Sequence, residues 1–153
     1  MRRPENLKAI LSKQPLLKGL RKKHLDLLAA CAVAQERSEG EYLLKEGQSA
    51  DYFFLIKQGR VSIELKGSYK KMTTIQTLDG GEILGWSWLI APYRSHLSAR
   101  AVRPASLLAF DAKRLRAEMK KDHDFGYEML RRFSRLIAQR LEEALPQIIS
   151  LYS

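Results

Sequence analysis

Between residues 41 and 110 the sequence divides into short segments rich in β-branched and aromatic residues, and glycines stand between those segments. The segments comprise residues 42–44, 52–57, 60–65, 72–78, 83–84, 98–102 and 107–110. Glycine adopts the positive φ angles of tight turns without steric cost, so this punctuation is typical of hairpins. Many short strands with regular turn signals predict a barrel or roll.

Helical periodicity flanks this strand-rich region on both sides. Before it, Leu7, Ile10 and Leu11 recur at helical spacing, Pro15 interrupts the pattern, and a second apolar stretch covers residues 25–32. After Asp111 the helical period returns. We therefore expect an α+β fold in one domain over residues 1–153. Its predicted parts are N-terminal helices over 1–34, a double-stranded, jelly-roll-like β-roll over 40–111, and C-terminal helices over 112–145 that include a long last helix.

The last helix carries a long apolar stripe whose spacings of four, three and seven approximate a coiled-coil seam. Two interpretations are open: the stripe pairs two copies of the chain into a homodimer, or it closes the core of one copy. Pro146 is expected to end or kink the helix. The first interpretation predicts a dimer interface made of Phe125, Met129, Phe133, Leu136, Ile137 and Leu141.

Positive charge is concentrated at the two ends of the chain. Residues 1–23 hold eight Lys and Arg against one acid, residues 24–102 hold nine of each, and the formal net charge is +10. The basic ends are consistent with solvated helix faces. They are also consistent with surfaces that contact nucleic acid, an anionic membrane face or an acidic partner.

No apolar run approaches the roughly 20 residues of a membrane span. Without a secretory signal, and with Cys31 alone, we expect a soluble, cytoplasmic protein.

Three segments carry a family resemblance: residues 15–20, the glycine-flanked hairpin 40–47, and the strand, turn and strand of 51–61. They resemble the cyclic-nucleotide-binding domain of the catabolite activator protein and its relatives, the Crp/Fnr-like regulators. The resemblance covers nearly the whole chain. It implies an eight-stranded β-roll with flanking helices, a role in regulation and signal transduction, and dimerisation through the last helix.

The resemblance also implies where a ligand would bind. In that family a glycine and a glutamate open a small helix, and an arginine follows. The helix N–H groups and the guanidinium hold the cyclic phosphate, while the carboxylate accepts the ribose 2′-hydroxyl. Gly85 matches the glycine, but Trp86 stands in the place of the glutamate, and an indole only donates. Aligning Gly81 and Glu82 with the family pair restores the carboxylate but lengthens the following loop.

The position of the family arginine has two candidates. Counting back from residues 99–101 places Ser95 there, whereas a one-residue insertion restores Arg94 with Ser95 beside it. A bound anion is expected at the amides of residues 85–87, with Arg94 or Arg100 as its cation. The candidate ligand residues are Gly85, Trp86, Ser87, Arg94, Ser95 and Arg100.

Two interpretations of the function follow from Trp86 and Trp88, whose rings either stack on a flat ligand or fill the space of a nucleotide. The first describes a regulatory module that senses a nucleotide or another small anion. The second describes a ligand-free module for dimerisation or protein interaction. A cyclic nucleotide is the one cofactor that the resemblance suggests. The missing carboxylate predicts that this cofactor binds weakly or not at all.

Other functional classes lack the residues that they need. His24, His96 and His123 do not have metal-ligand spacing, so no metal site is predicted. Residues 85–89 begin like a nucleophile elbow but end on leucine, so no catalytic residue is predicted. Only seven residues follow Pro146, and we therefore expect no helix-turn-helix domain and no sequence-specific DNA binding. The arginines of the last helix are predicted either to lie on its solvent-exposed face or to contact phosphates without sequence specificity. They are Arg131, Arg132, Arg135 and Arg140.

Overall fold

The structure, a computed structural model, describes residues 6–67, 69 and 71–151. It begins with helical elements, in which Leu7 and Leu11 lie one turn apart and are both buried, as helical spacing predicts. These elements are α1 (Leu7–Ser12), a 3₁₀ helix (Pro15–Leu17) and α2 (Lys22–Ala30).

Six antiparallel strands form one sheet in the described part of the chain. They are β1 (Ala32–Arg37), β2 (Tyr42–Leu44), β3 (Tyr52–Lys66), β4 (Met72–Asp79), β5 (Ile83–Leu84) and β6 (Ser98–Asp111). β6 pairs with β1, β2 and β3, and β3 also pairs with β4 and β5. The sheet and its flanking helices form the α+β β-roll that the sequence predicts.

The two longest strands, β3 and β6, change their pairing register three times between Ile56 and Val61. Gly59 lies within this irregular region at a φ of 110°, and a Cβ there would come within 2.6 Å of the Pro104 carbonyl oxygen. Bulges bend and twist a strand without ending it. The segments predicted at 52–57 and 60–65 are therefore one strand. The same holds for 98–102 and 107–110. The seven predicted segments therefore correspond to five strands, and β1 is the sixth strand of the described residues, whereas the resemblance implied eight.

Two C-terminal helices, α3 (Ala112–Lys121) and α4 (His123–Leu151), pack against the roll. The helices and one side of the sheet share a core, in which Phe53 stacks on Phe110 at a ring-centroid distance of 4.4 Å. A second core lies inside the roll around Ile56 and Leu107.

Within the described part of the chain, no helix has both the length and the apolar character that a membrane span requires.

Two predicted boundaries are wrong. Residues 32–34, assigned to the N-terminal helices, belong to β1, because they pair with residues 108–110 of β6. A short apolar run fits a buried strand as well as a helix, so periodicity alone does not separate them. α4 continues through Pro146 to Leu151. Proline removes one helical hydrogen bond, and the neighbouring turns of the helix keep theirs.

The apolar stripe of α4 divides between two environments. Its first four predicted interface residues are buried in the core of the chain itself, so the core interpretation applies to them. Ile137 is half-buried, and Leu141 is 56% exposed. The four predicted interface residues that lie in the core of the chain are Phe125, Met129, Phe133 and Leu136.

Candidate ligand site

The segment that aligns with the family's ligand motif starts at β5, whose Ile83 pairs with Leu55 of β3. Gly85 follows at a φ of 101°, a conformation that other residues rarely adopt. A Cβ at this position would lie 3.5 Å from the Cβ of Phe53, which is ordinary contact. The backbone conformation, more than the available space, therefore requires glycine here.

Trp88 belongs to the core of the protein. It lies in a 3₁₀ helix of three residues, Ser87–Leu89, and its side chain is fully buried. Its ring stacks on Phe53 with centroids 5.0 Å apart and meets Phe133 edge-on at 5.2 Å. These contacts leave no face of the Trp88 indole for a ligand.

Trp86 is half-buried and stacks on His96, with ring centroids 4.8 Å apart and an angle of 20° between the planes. The Ser87 hydroxyl lies 2.8 Å from Nδ1 of the same histidine, and the His96 backbone N–H donates to Ser87 Oγ at 3.3 Å. Both residues are therefore bound to the loop that follows them. The spacing of His96 in the sequence excludes a metal site but does not indicate its pairing with Ser87 and Trp86.

A small cavity lies beside Trp86, between the roll and α4. Its volume is about 30 Å³, a tenth or less of that of a small-molecule site, which is about 300–1,000 Å³. Among the predicted ligand residues, Gly85, Trp86, Ser87 and Ser95 line this cavity. The Ser95 hydroxyl donates to the Leu97 carbonyl at 2.6 Å. We name this space the Trp86 cavity.

The two predicted cations lie outside the Trp86 cavity. Arg94 is exposed, its Nη1 donates to the Gly47 carbonyl at 2.9 Å, and it does not line the Trp86 cavity. Arg100 pairs with Glu64, with 2.7 Å between Nη2 and Oε2. This hydrogen bond raises the pKa of Arg100. Its charge is matched within the sheet.

The cation that does line the Trp86 cavity is Arg140 of α4. Its Nη2 donates to the Ile83 carbonyl at 2.6 Å, and Gln76 of β4 donates to Glu143 one turn away. α4 is thus joined to the roll next to the cavity. Arg140 lies four residues after the buried Leu136, and this i, i+4 relation is the sequence signal that places it on the inward face.

Glu82, the alternative family carboxylate, has a local role. Its Oε2 accepts the backbone N–H of Asp79 at 2.7 Å, which closes the turn between β4 and β5. It does not line the Trp86 cavity. The alignment that would make Glu82 the ribose ligand therefore places the carboxylate outside this cavity.

A family model described as the cyclic nucleotide-binding domain matches residues 34–122. The match covers more than half of the chain and runs from β1 through the roll to the residue after α3. The chain belongs to this family. The cyclic nucleotide-binding resemblance predicted from the sequence is thereby confirmed.

Similar proteins include the cGMP-dependent protein kinase, isozyme 1, of Drosophila melanogaster, 30% identical over 136 residues. The match covers 84% of this chain and 18% of that kinase, so the chain spans less than a fifth of its length. A Geobacter metallireducens GS-15 protein, described as cyclic nucleotide-binding, has a TM-score of 0.78 at 25% identity, with 92% of this chain and 99% of that chain covered. The Thermus thermophilus Catabolite Activator Protein has a TM-score of 0.69 at 23% identity, with 90% and 63% covered. The last likeness shows a shared fold.

Metal-binding side chains do not cluster among the described residues. Across residues 6–67, 69 and 71–151 the structure contains no group of three or more His, Cys, Asp and Glu that could hold a metal ion. Cys31 is buried among the core residues.

Proposed function

We propose that the chain is a non-catalytic regulatory domain of the cyclic nucleotide-binding family that does not hold a 3′,5′-cyclic nucleotide at the family position. The observation that carries this proposal is the volume of the Trp86 cavity, about 30 Å³. Small-molecule sites in proteins have volumes of about 300–1,000 Å³. Trp86, which stands at the sequence position of the family glutamate, stacks on His96 and carries no carboxylate to accept a ribose hydroxyl.

The chemistry of the cavity lining supports the same conclusion. No carboxylate is among the described residues that line it, and its one charged group is Arg140. A ribose hydroxyl that donates would therefore lack its charged acceptor. A hydrogen bond to a charged group contributes about 1.5–3 kcal/mol, so its absence weakens binding by about tenfold or more.

The Ser87 and His96 pair is the arrangement in this domain that most resembles a nucleophile with its base. Ser87 is buried, and the adjoining cavity, at about 30 Å³, is far smaller than a substrate site. No carboxylate holds the His96 ring in the described part of the chain. The pair therefore supports a structural role, in which it holds the loop after the 3₁₀ helix in place.

Pairing of two copies through α4 is the second part of the proposal. An apolar stripe of α4 remains exposed after the core is formed, and its spacings of three, eleven, four and three follow a coiled-coil seam. Exposed apolar stripes of this kind mark interaction surfaces. The stripe, which we name the exposed stripe, consists of Tyr127, Leu130, Leu141, Leu145 and Ile148.

Calorimetric titration with cyclic AMP and cyclic GMP tests the first part. The wild-type domain is expected to show no binding below about 1 mM. Trp86→Glu removes the indole and restores a carboxylate, whereas Trp86→Gln removes the same ring without the charge. We expect Trp86→Glu to bind about tenfold more tightly than Trp86→Gln. Micromolar binding of either nucleotide by the wild-type domain would contradict the proposal.

A further inference from the structure

A second cavity lies between the 3₁₀ helix Pro15–Leu17, the turn after β4, and α4. Its volume is about 300 Å³, which reaches the lower end of the range of small-molecule sites, about 300–1,000 Å³. Leu16, Ile83 and Leu136 give it an apolar floor. The cavity therefore offers a surface for the uncharged body of a ligand.

Three arginines of α4 line this cavity, and the first of them is fixed. Arg132 is buried, and its Nη1 donates to the carbonyl oxygens of Leu16 at 2.9 Å and Lys18 at 2.8 Å. Its Nε donates to Glu128 at 3.0 Å. Arg132 thus joins α4 to the N-terminal region and determines the shape of the cavity wall.

The other two arginines keep unused donors. A guanidinium has five N–H donors, and Arg140 uses one of its groups on the Ile83 carbonyl. Burial lowers the pKa of Arg140, while the charges of Glu82 and Glu143 act in the opposite direction. Arg135 is exposed, and its side chain makes no hydrogen bond or ion pair within the described part of the chain. Both guanidinium groups are therefore available to an anion.

The carboxylates near these two cations already have partners. Glu143, whose charge acts on Arg140, accepts hydrogen bonds from the Gln139 side chain at 3.1 Å and from Gln76. Glu82 is the one carboxylate among the described residues that line the cavity, and its Oε2 already accepts the Asp79 N–H at 2.7 Å. Glu128, on the neighbouring part of α4, pairs with Arg131 and Arg132. This distribution of charge favours an anionic ligand.

We propose that this cavity, which we name the α4 anion site, binds a small organic anion with one phosphate or carboxylate group and an apolar body. Arg135 and Arg140 hold the anionic group, because planar guanidinium groups pair with phosphate and carboxylate through two parallel hydrogen bonds. Leu16 and Ile83 contact the apolar body. No part of the family's ligand motif from Gly85 onward lines this site.

The α4 anion site and the Trp86 cavity are proposed to differ in what they bind, but they share one lining residue. Arg140 lines both cavities, whereas Trp86 and Ser87 line only the smaller one. A ligand at the α4 anion site would therefore engage the residue that joins α4 to β5. Substitution of Trp86 leaves the α4 anion site intact, which separates this proposal from the one on cyclic nucleotides.

Phenyl phosphate is the probe for the test, with inorganic phosphate and neutral benzyl alcohol as comparisons. We expect calorimetry to give a dissociation constant of about 1 mM or tighter for phenyl phosphate, and weaker binding for both comparisons. The backbone amide NMR signals of Gly81, Glu82 and Gln139 are expected to shift during the titration. Absence of binding, or equal binding of phenyl phosphate and inorganic phosphate, would overturn the proposal.

Arg135→Gln is the decisive variant, because Arg135 is exposed and its loss should leave the fold intact. It should weaken phenyl phosphate binding by about tenfold. Arg103→Gln is the matched control, since Arg103 is an exposed arginine of β6 that lies outside the cavity. It should change binding by less than about twofold. Equal losses in the two variants would show attraction to the net charge of the chain and would overturn the proposal.

Discussion

The two apolar faces of α4 have opposite environments. The inward face has spacings of four, four, three and four and packs against the roll, whereas the exposed stripe faces away from it. The inward face consists of the apolar residues Phe125, Met129, Phe133 and Leu136, followed by the cation Arg140. The exposed stripe consists of Tyr127, Leu130, Leu141, Leu145 and Ile148. In the sequence the two faces interleave and read as one long stripe.

Because of this difference, the inward face governs the folding stability of a single chain, whereas the exposed stripe governs the proposed association of two chains. Burial of the inward face stabilises the fold of a single chain, because its side chains leave water only when the roll is formed. The exposed stripe contributes little to that fold and keeps its apolar surface for a partner. Substitutions on the two faces should therefore have different consequences.

The largest effect is expected for Phe133→Ala on the inward face. Phe133 is fully buried between Phe53 and Trp88, and such truncations cost about 3–5 kcal/mol because they leave a cavity. Urea unfolding should show this loss of unfolding free energy at every protein concentration. A stable variant that merely dissociates would indicate that Phe133 belongs to an interface.

A smaller loss is expected for Arg132→Gln. Removal of its guanidinium leaves the carbonyl oxygens of Leu16 and Lys18 without their donor, and we expect a cost of about 1–3 kcal/mol. Arg131→Gln is the matched control, because Arg131 pairs with the same Glu128 but is more exposed. It should cost about 0–1 kcal/mol by urea unfolding. Equal losses would mean that the contacts to the N-terminal region do not matter.

The double change Leu141→Glu with Leu145→Glu should act on association and hardly on the fold. Surface substitutions usually change the unfolding free energy by less than about 0.5 kcal/mol, but charges within a paired stripe oppose dimerisation. Light scattering should give a dimer for the wild-type domain and a monomer for this variant. Gln147→Glu, about 120° around the helix from Leu141, should remain a dimer. A monomeric wild type at micromolar concentration would refute the paired stripe.

The smallest effect concerns the start of the inward face, where Asp122 precedes α4. Its Oδ1 accepts the Phe125 N–H at 3.2 Å and its Oδ2 lies 3.1 Å from Nε2 of the buried His24. The backbone hydrogen bond from Phe125, the His24 side chain and the charge of Lys23 lower the pKa of Asp122 from 3.8 to about 2.

A carboxyl group with a lowered pKa stabilises the fold above its unfolded pKa and loses that contribution as the pH falls through its folded pKa. The contribution of Asp122 should therefore be complete above pH 3.8 and disappear towards pH 2. Asp122→Asn keeps a capping side chain and should remove this part of the pH dependence between those values. Urea unfolding of both proteins across this range provides the measurement. Identical pH profiles would show that Asp122 is not perturbed.

The fold was more predictable from the sequence than the site. Local periodicity and the glycine positions predict the order of helices, strands and helices. They also predict the positions of β2, β4 and β5. The continuity of β3 depends on Gly59 lying in a bulge opposite β6. Such a bulge involves residues more than 40 positions apart, and local spacing does not report it.

Gly85 shows what a residue motif does determine. Its positive φ follows from the absence of a Cβ, so the family glycine could be found without a structure. The departure at Trp86 was equally visible, because an indole has no acceptor for a ribose hydroxyl. The amino-acid sequence by itself therefore determined the family, the order of the elements and the loss of the carboxylate.

Only the tertiary structure decided which cations face which cavity. Arg94 bonds to a loop carbonyl and Arg100 to Glu64 of another strand, while Arg140 crosses from the last helix to β5. The partners of Arg100 and Arg140 are 36 and 57 residues away along the chain. A long charged side chain takes its direction from distant groups that folding brings within hydrogen-bond reach, and no local pattern encodes that meeting.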